Sequence, residues 1–99
     1  MRASMIRAND ILSDEELEEC IDGSSDLTLI RNIIETSQDK NAATVDVLKF
    51  AAYFTDHVND FIDAKPGTND YDEASTVNWE WGRSIATNIN EMVYSKWMK

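Results

Sequence analysis

Apolar residues recur along this chain at helical rather than strand spacing, in four blocks separated by polar punctuation. Leu27, Ile30, Ile33, Ile34 and Ser37 follow one another at intervals that gather on one face of a 3.6-residue repeat. The block before them opens on Ser13-Asp-Glu-Glu16, a capping box in which hydroxyl and carboxylate each satisfy a free helix-end N–H. A helix over about 14–22 is predicted there, closed by Gly23, which tolerates a left-handed conformation. Ser25 or Asp26 can cap a second helix over about 26–38, followed by a turn at Asp39-Lys-Asn41. A third helix over about 43–64 ends at Lys65-Pro66-Gly67, because proline cannot continue it. Residues 65–75 read as an acidic loop, and Ser75 or Thr76 as the cap of a last helix over about 76–98. The predicted fold is all-α: a compact single-domain bundle of about four helices.

The third block is the most apolar. At about 100° per residue, Val45, Val47, Leu48, Phe50, Ala51, Ala52, Phe54, Val58, Phe61 and Ile62 cover more than half of its circumference. A helix this widely apolar is expected at the centre of the fold. The last block is ambiguous at one point, since Thr76-Val-Asn-Trp-Glu-Trp-Gly82 alternates as a strand would. A lone strand has nothing to pair with, so the helical reading is preferred. It puts Trp81, Ile85, Ile89, Met92 and Val93 on one face, with Gly82 and Ala86 allowing another helix to come close.

A length of 99 residues supports one domain, and 42% hydrophobic residues with 9% aromatics is a globular composition. Charge changes the picture more. Nine Lys and Arg against 19 Asp and Glu leave a formal net charge of -10, which argues against direct binding to nucleic acid or to an anionic membrane. The longest uninterrupted apolar run, Phe50-Ala-Ala-Tyr-Phe54, is far shorter than the ~18 residues of a membrane span. No apolar stretch follows Arg2 and Arg7 as a secretory signal requires, and Cys20 has no second cysteine to pair with. A cytoplasmic location is expected, the host cytoplasm if the protein is viral.

Catalytic chemistry finds little support. His57 is the single histidine, and Asp56 and Asp60 beside it allow a relay or a one-histidine metal site to be drawn, but a surface histidine on an acidic strip is the simpler reading. Cys20 sits in a run of acids that raises a thiol pKa, where a nucleophile needs the opposite. The glycines at 23, 67 and 82 form no phosphate loop, and Asp70-Tyr-Asp72-Glu73 lacks the spacing of a calcium loop. No enzyme activity, cofactor or metal is expected.

Acid clustering is the stronger signal. Residues 10–26 hold eight acids and no Lys or Arg, and residues 56–80 hold seven acids against Lys65. On helices, Glu15, Glu19 and Asp22 form one stripe, and Asp56, Asp60 and Asp63 at i, i+4, i+7 form another. Like charges packed this way repel, and solubility alone does not require them. Trp79 falls on the edge of the last helix's apolar face, where a ring could anchor a partner. The expected function is that of a small acidic binding protein. It would occupy a basic, often nucleic-acid-binding surface of a nuclease, polymerase or CRISPR effector and inhibit it. By analogy of class alone, this is the manner of phage-encoded inhibitors, anti-CRISPR proteins and toxin-immunity proteins. The expected contact residues are Glu15, Glu19, Asp22, Asp56, Asp60, Asp63 and Trp79. The alternative is a homo-oligomeric assembly module, a homodimer built on the third helix and the Gly82/Ala86 face, with no inhibitory activity.

Overall fold

The computed structural model describes residues 7–21 and 26–97. Five α-helices and a 3₁₀ turn follow in order: α1 Ala8–Ile11, α2 Asp14–Ile21, α3 Leu27–Ser37, α4 Val47–Val58, the turn Asn59–Phe61, and α5 Asn69–Trp97. The fold is all-α. Among the described residues the sole β pairing is an isolated bridge between Gln38 and Val45, and segment 76–82 is helical. The bundle measures 53 × 25 × 19 Å, its length owed to α5, which at 1.5 Å per residue runs about 43 Å.

Side-chain caps set most helix starts. The Glu16 backbone N–H donates to Ser13 Oγ at 3.2 Å while Ser13 N–H donates to Glu16 Oε1 at 2.9 Å, the capping box predicted for α2. Asp26 accepts from Thr28 N–H at 2.8 Å to open α3, and Asp46 accepts from Lys49 N–H at 3.1 Å to open α4. Gly23 and Asp22, at the predicted end of the first helix, lie outside the described residues.

Besides the end of the third helix, which falls at Val58 and not at about 64, three boundaries depart from the sequence expectation. The single turn α1 was not predicted; it is too short for a periodic pattern and exists because Ala8 and Leu12 are buried. The third helix was expected from about 43 but begins at Val47. Asp39 N–H bonds to Thr44 O at 3.2 Å and Asp46 N–H to Ser37 O at 2.7 Å, which holds 38–46 as a closed loop. The third difference is the largest. Residues 65–75, expected as a loop, include the start of α5 at Asn69, where Thr68 Oγ1 accepts from Tyr71 N–H at 3.2 Å. The acids Asp70 and Asp72 suit a helix N-terminus, where they meet the positive end of the backbone dipole. Gly67, at φ 92°, makes the turn before it.

One buried core draws on all five helices, including Ala8, Leu17, Ile30, Phe50 and Ile85. Its axis is α5, which packs against α1, α2, α4 and the 3₁₀ turn. The expectation that the third helix lies at the centre holds in part: α4 packs against both α3 and α5 and buries Phe50, Ala51 and Phe54, but it leaves Leu48 62% and, past its end, Phe61 77% exposed. An apolar arc counts side chains and not the neighbours available to cover them. Where α4 and α5 meet, Gly82 lets the two helices come close. A Cβ there would lie 2.9 Å from Phe54 Cδ2. Phe54 is fully buried, stacks with Phe50 at 6.3 Å and takes the Trp81 ring edge-on at 5.0 Å.

Replacing Gly82 by Ala tests this contact. Helix propensity favours alanine by about 1 kcal/mol, whereas overpacking of a tight core costs ~1–3 kcal/mol. We expect Gly82→Ala to be destabilising in urea melts, and Gly82→Ala in a Phe54→Leu background to recover the loss. A stabilised single variant would show that the helices are not in close contact at this point.

Candidate partner-binding surface

The acidic face of α2 is positioned by two cations. Arg31 on α3 donates through Nη2 to Asp14 Oδ1 at 2.7 Å and to Leu12 O at 3.0 Å, and through Nη1 to Asn9 O at 3.1 Å. It thereby ties the α1–α2 junction to α3. Lys96, near the end of α5, donates to Glu16 Oε1 and to Ile11 O, both at 2.7 Å. Glu16 is thus both cap and ion-pair partner, and its carboxyl is lowered from the ordinary 4.5 to about 2, chiefly by the Lys96 bond and then by Ser13.

These pairs divide the acid run into two sets. Asp14 and Glu16 are committed within the chain. Glu15, Glu18 and Glu19 are exposed and form no ion pair among the described residues, while Leu17, Cys20 and Ile21 are buried beneath them. Glu15 and Glu19 therefore share an outward face as predicted, whereas Asp22 lies outside the described residues.

The second predicted stripe is broken. Asp56, Asp60 and Asp63 are all exposed, but α4 ends at Val58, Asp60 belongs to the 3₁₀ turn and Asp63 follows it. Their spacing of i, i+4, i+7 marks one face only in a continuous α-helix. The helix tightens here because Asn59 is bound across to α5, donating to Ser75 Oγ at 3.0 Å and accepting from Asn78 Nδ2 at 3.3 Å.

The tryptophans are placed differently from their sequence reading. Trp79, the predicted anchor, is half-buried, and the Arg83 guanidinium lies 5.8 Å from its ring centre. Trp81, predicted for the core face, sits at the core's edge with 37% of its surface open. It lines an open cleft of about 250 Å³ between α2 and α5, together with Glu19, Cys20, Ile21, Ser84, Ile85 and Asn88. Asn88 Nδ2 donates to Cys20 O at 3.1 Å and joins the two helices at that point. Sequence reading missed this grouping, although Trp81, Ser84, Ile85 and Asn88 do share one side of a helix at three- and four-residue spacing. The side chain of Trp97 lies outside the described residues.

His57 is half-buried with its ring 5.8 Å from that of Phe61, and it forms no ion pair among the described residues. Cys20 is buried, and its thiol is pushed up to about 11, first by burial and then by Glu19 and Glu16. No group of three His, Cys, Asp or Glu side chains among the described residues is arranged to hold a metal ion. No helix among them is long and apolar enough to cross a membrane. The chain matches no protein-family model, no curated protein and no solved structure.

Two measurements check these assignments. Because folding lowers the Glu16 pKa, the unfolded chain binds this proton more readily than the folded one. The stability it contributes is present above pH 4.5 and is lost as the pH falls toward about 2. Glu16→Gln should flatten that part of the stability–pH curve; an unchanged slope between wild type and variant would remove the Lys96 link. For Cys20, burial and a raised pKa both suppress the thiolate. Iodoacetamide at neutral pH should label it only as fast as the protein unfolds, so rapid labelling of the native protein would contradict its burial.

Proposed function

We propose that this chain is a non-catalytic binding protein. It sets its acidic helical surface against a basic, nucleic-acid-binding surface of another protein and inhibits it. Phage-encoded inhibitors, anti-CRISPR proteins and toxin-immunity proteins act in this general way, and a nuclease, polymerase or CRISPR effector is the class of partner. The observation that carries the reading is the division of charge on α2. Of the α2 acids, Arg31 and Lys96 engage only Asp14 and Glu16, and Glu15, Glu18 and Glu19 project without intrachain cations among the described residues. That exposed row forms no ion pair within the described residues, and its carboxylates repel one another. A basic partner would relieve the repulsion. Asp56, Asp60 and Asp63, also exposed, add to the negative field of the chain.

Exposed apolar side chains favour a second reading, self-association. Leu48, Phe61 and Val77 stand open on α4, the 3₁₀ turn and α5. Such an assembly would be held by apolar contact and would resist salt, whereas charge-steered binding weakens with ionic strength because screening acts over about 8 Å at physiological salt.

The test combines sedimentation with inhibition and binding kinetics against purified basic nucleases, polymerases and CRISPR effectors at two salt concentrations. We expect a monomer that inhibits one such enzyme. Replacing Glu15 and Glu19 by Gln should slow association about tenfold with little change in dissociation. A salt-resistant dimer that inhibits none of them would replace this reading with the assembly one.

A further inference from the structure

Building on the reading of this chain as a binder of basic proteins, we infer that the cleft between α2 and α5 receives an arginine side chain of the partner, its guanidinium held between the Glu19 carboxylate and the Trp81 indole. Three features of the cleft select this occupant.

The first is hydrogen-bonding sense. Asn88 donates through Nδ2 to Cys20 O, which fixes its amide and leaves Oδ1 as an acceptor. Glu19 offers two more acceptor oxygens and Ser84 a hydroxyl. No cation lines the cleft among the described residues. An anion would find only neutral donors, the Ser84 hydroxyl, the Trp81 indole N–H and the second Asn88 N–H, beside a Glu19 charge that repels it, whereas a guanidinium brings a positive charge, five N–H groups and no acceptor.

The second is the indole. Trp81 is held edge-on by Phe54, 5.0 Å away at 81°, and Phe54 is itself fixed against Gly82. The open part of the ring is therefore oriented before any partner arrives, which removes an ordering cost from binding. Arg83 already lies over Trp79, so of these two neighbouring indoles Trp81 is the one left open to a cation from outside.

The third is the wall. Cys20, Ile21 and Ile85 close the floor of the cleft and, being almost fully buried, give the aliphatic stem of a long basic side chain a narrow apolar strip to lie on. Arginine suits the site better than lysine, because its planar, weakly hydrated head stacks on an indole while bonding a carboxylate edge-on.

The probe is a short Gly/Ser peptide carrying one arginine, titrated into the full chain to millimolar excess. The readout is the Trp81 indole N–H resonance, assigned with Trp81→Phe. The arginine peptide should move that resonance. A peptide with citrulline in its place, equal in shape but uncharged, should not, and a lysine peptide should bind more weakly. Glu19→Gln should weaken the arginine peptide about fivefold while leaving the helical circular dichroism unchanged, since the lost carboxylate pairs with nothing in the described chain. An immobile Trp81 resonance, or equal shifts from arginine and citrulline, would overturn the inference. If that happens while salt-sensitive inhibition of a basic enzyme persists in Glu19→Gln, the cleft is refuted and the acidic-surface reading stands. If the arginine peptide binds while no basic enzyme is inhibited, the site stands and the inhibitory reading falls.

Discussion

The close approach of α4 and α5 at Phe54 and Gly82 is the contact on which the rest of the structure depends. Without a side chain at residue 82, α5 can lie against the Phe54 ring, and that ring in turn sets the angle of Trp81. Polar bonds at both ends hold the register. Asn90 donates to Val45 O at 3.0 Å and accepts from Val45 N–H at 2.9 Å, while Asn59 meets Ser75 and Asn78 at the other end. Apolar burial supplies the drive, on the order of 1.5–3 kcal/mol for each fully buried Phe or Ile. The asparagines decide where along α5 it is realised.

With α5 placed, α2 has little freedom. Lys96 reaches back across 80 residues of sequence to Glu16, Arg31 holds the chain just before it, and Asn88 pins the Cys20 carbonyl. These bonds use two carboxylates and turn the others outward. The short charge-assisted bonds at 2.7 Å contribute more than the Arg83–Glu80 pair at 3.4 Å. The same tethering brings Glu19 to the rim of the Trp81 cleft, so the surface charge and the open ring come from one packing arrangement.

The limits of the sequence reading follow from particular residues. Acidic side chains at 70–73 were read as loop because apolar spacing is absent there, yet a helix N-terminus rewards those charges and Thr68 caps it. The stripe at Asp56, Asp60 and Asp63 assumed a helix that Asn59 ends by bonding to a segment well over a dozen residues away. Trp79 and Trp81 could be assigned to faces of α5 from their spacing, but which face a neighbour covers depends on the length of that neighbour.

By itself the sequence determined the all-α class, the capping box of α2, the Asp26 cap of α3, the amphipathic face of α3, the place of Gly82 on the packing face of α5 and the outward face of Glu15 and Glu19. All of these rest on interactions within a few residues, or on the 3.6-residue period that local backbone geometry imposes. Tertiary structure alone decided that α5 and not α4 is the axis, that Asp14 and Glu16 are neutralised while their neighbours are not, and that Trp81 faces a cleft with Glu19. Each of those outcomes depends on which long-range partner reaches a given side chain. Arg31 and Lys96 choose Asp14 and Glu16 through distances that only the packed helices create, and no periodicity along the chain carries that information.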